Sequence, residues 1–385
     1  MLKEIKIYNF GPINQPICFS LEKRKTEQFL ENIIEGSNLL KTIYIYGANN
    51  SGKTKVVETI RFLKDIVELG KEIFNKRNYL PFLFNSDKVT ELEYSFIIEG
   101  CKYLYLLRIN LFDKYIVEEK MTIGSKVIFI RKNETLSLEE NRKELKIDRD
   151  IFGLVYYYSV IGGNEDIDKL IEYINQIIYI EQQRNSDNII KANSITDINK
   201  INFLEENIER INDVIKGFGF DFETVILKGT DQVNREIKSI GVNKKFKNQN
   251  LIVPLSLFES FGTNVFINLL LEVEKNQKSQ LIVIDEIERG IHFALASAFI
   301  GYINREYPNK QLVLPTHMTD LLDSELKIRK DQIYIVENEL QKGFSINRKF
   351  SKKVIRETMN FQKIFKSKSV GGVPEISLFE NSDVK

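Results

Sequence analysis

The sequence predicts an α/β fold, and three features predict it. A β-rich run at residues 42–46 leads through a glycine-rich turn into apolar residues at helical spacing. Two further apolar runs, 281–284 and 311–314, read as strands buried on both faces. Residues 92–131 read as strands joined by turns. With 385 residues, 43% of them hydrophobic and 28% charged, the chain can form one large core with an insertion or two domains, and it is not a disordered polymer.

Taken in order, residues 2–10 alternate apolar and polar side chains, the pattern of a half-buried strand, and Gly11-Pro12 ends it. After the 42–46 run, Val57, Ile60, Leu63 and Val67 recur at helical spacing, which completes a strand–loop–helix unit. Residues 93–98, 103–109 and 126–130, separated by Glu99-Gly100 and Gly124, form an antiparallel β meander. From about 166 to 216 the pattern is helical. Ile167, Leu170, Ile171, Ile174, Ile177 and Ile178 form one set, and Ile201, Leu204, Ile208, Ile211 and Ile215 a second, closed by Gly217 and Gly219. The polar, Asn-rich stretch 182–200 between them reads as a loop, and a basic one, 243–248, precedes the next ordered part. The simplest organisation is a core whose N-terminal part is 1–150, a mainly helical insertion at 151–250, and a return to the core at 251–385.

Composition narrows the function. A net charge of +1 gives no whole-protein field toward nucleic acid or membrane, so any such attraction must be local. Cys18 and Cys101 are isolated and fit neither a disulfide framework nor a metal spacing. No charged-then-apolar leader opens the sequence, and no apolar stretch approaches the roughly 18 residues that a bilayer requires. These features lead us to expect a cytoplasmic protein with no membrane contact.

The first chemical motif is Gly47-Ala48-Asn49-Asn50-Ser51-Gly52-Lys53-Thr54, which fits G-x-x-x-x-G-K-[ST]. The glycines let the loop wrap so that backbone N–H groups point inward at phosphate. Lys53 reaches the outer phosphates, the Thr54 hydroxyl is a ligand for Mg2+, and the helix that follows adds its positive N-terminal end. Gly47, Asn49, Asn50, Ser51, Gly52, Lys53 and Thr54 are therefore the expected ATP-binding set. The second motif is Leu281-Ile282-Val283-Ile284-Asp285-Glu286, a buried strand with an acidic end. Asp285 would hold Mg2+ opposite Thr54, and Glu286 would orient and polarise the attacking water, as phosphoryl transfer requires.

The chain has two histidines, and both follow this strand. His317 ends the run Gln311-Leu312-Val313-Leu314-Pro315-Thr316, where a neutral imidazole can bond the γ-phosphate and fix the water; His292 has both a structural and an interface reading. Glu259-Ser260-Phe261-Gly262-Thr263-Asn264 opens an apolar helix, so Ser260 and Gly262 can form a second anion site, and Ser260 or Thr263 can equally be a plain N-cap. Both readings can hold at once.

A P-loop, S-x-G-T, apolar-D-E and a strand-final histidine, in that order, resemble the parts of an ABC-type P-loop ATPase. More closely, the chain resembles the stand-alone AAA-family ABC-type ATPases of bacterial anti-phage and abortive-infection systems, the RloA/AbiL-like group, related to Septu PtuA and PARIS AriA. The resemblance rests on FGPI after the first strand, YGANNSGKT, the Pro81-Phe82-Leu83-Phe84 run, PLSLFESFGT, IDEIERGIH, PTHMTDLLD, DQIYIVE and a late GGVPEI, and it hardly touches the middle of the chain. It implies ATP hydrolysis with Mg2+ and a homo-oligomer built on a head-to-tail dimer. Lys53, Thr54, Asp285, Glu286 and His317 would act within one subunit, and Ser260, Gly262 and Arg289 across the interface. It also implies a separately encoded effector, a nuclease, controlled by the ATPase. Phe261 stands where an acidic residue is usual, no glutamine sits at a Q-loop position, and residues 365–372 lack the usual Gly-Arg-Phe-Gly pattern.

One local charge signal lies near the C-terminus, where Lys342, Arg348, Lys349, Lys352, Lys353, Arg356, Lys363, Lys366 and Lys368 face only Glu357 and are interleaved with Phe344, Phe350, Phe361 and Phe365. This segment suits nucleic-acid backbone or an acidic partner, and equally a solvated helix face. Two other functions stay open: an SMC-like DNA-bound repair ATPase, whose long coiled coil the short helical stretch does not match, and a nucleotide-gated scaffold with little turnover.

Overall fold

Strand Thr42–Gly47 is buried at every position, which its unbroken apolar run foretells. In this computed structural model it lies inside a six-stranded sheet in the order Ile178–Glu181, Leu281–Asp285, Gln311–Pro315, Thr42–Gly47, Ile333–Glu339, Gly343–Asn347. The four central strands run parallel, and Gly343–Asn347 is the antiparallel edge. The structure describes residues 1–385 except 26–27, 140–141, 182–196, 231–235, 248, 324–325, 340–342, 349, 351–359, 368 and 373–385.

The described residues form two compact units. The first comprises Met1–Ile180, Ser279–Asp285 and Pro308–Lys385, and holds two sheets. Besides the parallel sheet there is an eight-stranded antiparallel one, from Ile17–Ser20 and Leu2–Tyr8 through the meander Val89–Ile98, Cys101–Asn110, Tyr115–Ile123, Lys126–Lys132, Thr135–Leu138 and Lys143–Lys146. The helix Lys53–Leu69 explains its own sequence: Val56, Val57, Ile60, Phe62, Leu63 and Ile66 are buried around more than one face. It packs against the parallel strands, and Tyr94 of the meander donates its hydroxyl to the Thr59 carbonyl at 2.8 Å.

Two buried glutamines tie distant parts of this unit together. Gln311 exchanges hydrogen bonds with the Leu2 backbone at 2.7 and 2.8 Å, and Gln332 donates to the Thr42 carbonyl at 2.8 Å. Helix Glu165–Asn175, capped by Asn164, ends at Gln176, so Ile177 and Ile178 do not continue it and instead lead into strand Ile178–Glu181.

The second unit, Glu181–Lys278 with Glu286–Tyr307, carries helices Ile198–Glu206, Ile208–Gly217, Phe261–Lys275 and Phe293–Glu306. Within the stretch read as mainly helical it adds an antiparallel sheet, Phe222–Thr230, Glu236–Phe246 and Gln249–Pro254, which the sequence reading did not pick out. Most of the expected 182–200 loop lies outside the described residues, but Asp197 is seen capping the helix after it by accepting from the Asn199 N–H. The core of this unit is aromatic, with Phe266 in contact with Phe218, Phe220 and Phe299. Glu274 is fully buried, where it accepts from Tyr302 and Tyr307 hydroxyls at 2.6 and 2.7 Å and pairs with Arg210. Among the described residues no helix is long and apolar enough to cross a membrane.

A buried ion pair tests the packing of the meander. Arg131 and Glu119 are both fully buried and lie 3.1 Å apart, and Glu119 also accepts from the Tyr105 hydroxyl at 2.7 Å and the Gly153 N–H at 2.6 Å. Arg131→Met leaves a buried carboxylate without its cation, and about 3–5 kcal/mol should be lost in urea unfolding. Adding Glu119→Gln should restore part of that loss, and a single variant as stable as the parent would show that the pair contributes little.

Candidate functional site

The carboxyl ends of three adjacent parallel strands meet at one edge of the parallel sheet. Thr42–Gly47 runs into the glycine-rich loop, Gln311–Pro315 into His317, and Leu281–Asp285 ends on Asp285. Ligands of open α/β sheets gather at this edge.

The loop closes because its glycines lack side chains. A Cβ on Gly47 would lie 2.5 Å from the Val336 carbonyl oxygen and 2.5 Å from Ser51 Oγ. Gly52 holds φ +96° as the N-cap of helix Lys53–Leu69, and a Cβ there would lie 2.7 Å from the Phe344 ring. Asn50 also takes a left-handed φ of 63°, which asparagine tolerates better than most residues.

Lys53 is only 6% exposed. Its ammonium donates to the carbonyls of Gly47 at 3.0 Å and Ala48 at 3.1 Å and stands 2.8 Å from His317 Nε2. An ammonium can only donate, so Nε2 accepts and the neutral imidazole carries its proton on Nδ1. The histidine turn is fixed in its own right: Thr316 N–H bonds the Ile45 carbonyl at 3.0 Å, Met318 N–H bonds Thr316 Oγ1 at 3.0 Å, and Tyr46 donates to the Met318 carbonyl at 3.1 Å.

Among the described residues the buried Ser51 hydroxyl oxygen has no hydrogen-bond partner. Together with the side-chain-free cradle at Gly47 and Gly52, this fits an anion held by the loop. For a magnesium ion, the Thr54 hydroxyl and the Asp285 carboxylate are hard oxygen donors of the kind it takes alongside substrate phosphates. Asp285 is 5% exposed. Beside the loop, a cavity of about 310 Å³ is lined by Phe10, Pro12, Lys55, Tyr79 and Phe82 among others.

The second unit holds the remaining expected residues. Ser260 caps helix Phe261–Lys275 by accepting from Thr263 N–H at 3.1 Å, with the two hydroxyls 2.9 Å apart. A Cβ on Gly262 would lie 2.5 Å from the Gly290 carbonyl oxygen, and Gly290 itself, at φ +106°, packs under Phe261 and Val265. The serine–glycine segment is thus moulded onto the turn that follows the acidic strand. Glu286 starts that turn at φ 56°, a left-handed conformation that costs a non-glycine residue about 1–2 kcal/mol, and its carboxylate pairs with Arg289 of the same chain. His292 is an exposed N-cap, its Nδ1 accepting from Ala294 N–H at 3.3 Å, which favours its structural reading.

The structure thus gathers Gly47, Ser51, Gly52, Lys53 and His317 in the first unit, with Asp285 at the neighbouring strand end. Only part of the basic segment lies within the described residues. Phe344, Phe350, Phe361 and Phe365 are 3%, 0%, 2% and 6% exposed, so they are core side chains with no face to stack on bases, and Arg348 is buried too. Lys342, Lys349, Lys352, Lys353, Arg356 and Lys368 lie outside the described residues. Sequence reasoning missed the loop's neighbours. Pro12 and Phe344 abut Gly52, and a Cβ on Gly372 would come 2.8 Å from Ile335 and 3.6 Å from Gly47 Cα. The only signal for the last contact was the paired glycine in the late GGVP run.

A phosphate loop, a neutral histidine on its lysine and a buried aspartate, set on adjacent parallel strands, define a P-loop ATPase. The sequence model for the family described as "AAA domain, putative AbiEii toxin, Type IV TA system" matches residues 43–323, well over half of the chain, and the chain belongs to that family. Among solved structures, a crystal structure of an SMC head bound to the C-winged helix domain of ScpA is similar at 12% identity, over 90% of this chain and 98% of that one, with a TM-score of 0.50. The SMC head domain from Thermotoga maritima gives 14% identity, 90% and 98% coverage and a TM-score of 0.47. An SMC head with an extended coiled coil, bound to the C-terminal domain of ScpA from Pyrococcus furiosus, gives 11%, 96%, 98% and 0.44. At such identities the first likeness speaks for the fold alone. No curated protein matches the chain in sequence.

Gly47→Ala forces a methyl against the Val336 carbonyl, which backbone cannot yield without displacing a central strand. ATP affinity in a fluorescent-analogue titration should fall at least tenfold; unchanged affinity would mean that the loop does not hold the nucleotide.

Proposed function

We propose that this chain is the ATP-binding and ATP-hydrolysing subunit of a bacterial anti-phage defence system, a nucleotide-driven dimer that controls a separately encoded effector, a nuclease. The observation that carries the ATPase part is the meeting of the P-loop lysine with the strand-final histidine at 2.8 Å. The family match, whose description names a toxin of a toxin–antitoxin system, and the motif resemblance support the defence role.

In this reading Gly47, Asn49, Asn50, Ser51, Gly52 and Lys53 hold the phosphates, and Thr54 and Asp285 hold Mg2+. When bound, the metal ion supplies charge neutralisation to the outer phosphates. Lys53 turns its ammonium from its own loop carbonyls to the phosphates. His317, already neutral with Nε2 directed at Lys53, is positioned to read the terminal phosphate. Glu286 orients the attacking water. Ser260 and Gly262 of one copy complete the site of a second copy. The helix they open stands beside exposed apolar side chains, Leu257 at 76%, Phe258 at 58% and Phe261 at 51%, a patch suited to burial against another protomer. An SMC-like role is less favoured. The described helices Glu165–Asn175, Ile198–Glu206 and Ile208–Gly217 span 11, 9 and 10 residues, far from a long coiled coil.

Three outcomes are expected. Lys53→Ala abolishes ATP binding or turnover. Glu286→Gln keeps binding, loses at least a hundredfold in turnover, and shifts the solution mass with ATP toward a dimer, read by light scattering; a Glu286→Gln variant with parental turnover would remove Glu286 from the chemistry. In host cells carrying the gene with its flanking genes, phage plating falls at least tenfold, and Lys53→Ala restores it. Equal plating with and without the genes would count against the defence reading while leaving the ATPase intact.

A further inference from the structure

A second cavity, of about 620 Å³, lies in the first unit between two sheet edges, the strand Ile17–Ser20 of the antiparallel sheet and the strand Gly343–Asn347 of the parallel sheet. No residue of the P-loop lines it. Its walls carry three cations, Lys23, Arg24 and Arg348, against one carboxylate, Glu22, which is already paired with Lys3 at 3.2 Å.

Arg348 is the unusual member. It is 7% exposed, donates to the backbone carbonyls of Glu22 at 2.6 Å and of Ser20, and lies over the Tyr334 ring at 4.8 Å. Among the described residues its buried Nε–H has no acceptor. Among the described residues, no carboxylate pairs with Lys23, Arg24 or Arg348. Carbonyls and an aromatic face satisfy hydrogen bonds but supply no counter-charge, and a buried cation left without one is costly. Nearby Ser345 and Asn347 add neutral polar groups to the same walls.

We propose that this cavity binds a small phosphate-bearing anion of nucleotide size, with Arg348 as the buried counter-charge and Lys23 and Arg24 as the outer cations. The volume exceeds what inorganic phosphate fills and lies within the usual range for small-molecule sites of roughly 300–1,000 Å³. A phosphate monoester brings about 1.5–2 negative charges and three acceptor oxygens, which match a set of three cations better than a single carboxylate does. Phe344 is common ground: it lines this cavity, and its ring fills the space beside Gly52. The site is therefore one side chain away from the P-loop.

The test uses the full-length chain carrying Lys53→Ala, which takes the P-loop out of competition, so the result does not depend on whether the P-loop turns over ATP. Calorimetric titration with adenosine monophosphate and with pyrophosphate should show saturable binding of at least one, weakening as salt is raised, whereas adenosine should not bind. Adding Lys23→Ala and Arg24→Ala, at a partly exposed and an exposed side chain, should weaken that binding at least tenfold. Arg348→Gln should do the same in protein whose circular dichroism matches the parent's. Binding of neither phosphate compound, or binding that the Lys23→Ala/Arg24→Ala pair leaves unchanged, would overturn the proposal.

Discussion

The strand Thr42–Gly47 is hydrogen-bonded along both edges, to Gln311–Pro315 on one side and Ile333–Glu339 on the other, and buried on both faces. Everything at the nucleotide site is positioned by that double pairing. The carbonyl of Val336 presses on Gly47, which forces the loop to leave the strand where it does. Thr316 bonds Ile45, which brings His317 to the loop's lysine. Because both neighbours run parallel to it, their carboxyl ends converge at the same edge, and the chemistry collects there with no further design.

The second unit has an analogous but smaller constraint, made by two glycines. A side chain on Gly262 would meet the Gly290 carbonyl, and one on Gly290 would meet Phe261 and Val265, which couples the serine–glycine helix start to the turn that presents Glu286. That turn is held in a left-handed conformation and closed by the Glu286–Arg289 pair. A carboxylate engaged with its own chain is a weaker partner for water than a free one, so opening this pair is a natural step before catalysis in the cycle proposed above.

Sequence patterns made the site legible where chemistry and local geometry coincide. The P-loop glycines, the apolar-to-acidic step at Asp285 and the strand-final His317 each announce a specific backbone shape, and the strands around them are short apolar runs that no other element explains. The three-stranded sheet of the second unit escaped notice because charged residues and a glycine interrupt the apolar positions of its two longer strands. Glu236–Phe246 carries three lysines and buries Ile240 and Val242, and Gln249–Pro254 is mostly exposed with Val253 buried, so little of either strand marks a buried face. The phenylalanines near the C-terminus misled for the opposite reason. Interleaving with lysines looks like a binding stripe, but Phe344 and Phe365 are drawn inward by long-range contacts with Gly52 and Tyr46 that no local window contains. The buried guanidinium of Arg348 was hidden in the same way, as one more positive charge in a basic run.

The pairing of the P-loop strand also has a consequence for biosynthesis. Gln332, which bonds the Thr42 carbonyl, lies 290 residues further along the chain. At ribosomal speeds of about 5–20 residues per second, the phosphate loop leaves the exit tunnel roughly 15–60 seconds before the strands that shape it. A nascent chain therefore carries the motif long before it can hold a nucleotide. In a protein whose ATP-bound form is proposed to govern an effector, that order of assembly keeps incomplete chains from entering the nucleotide cycle.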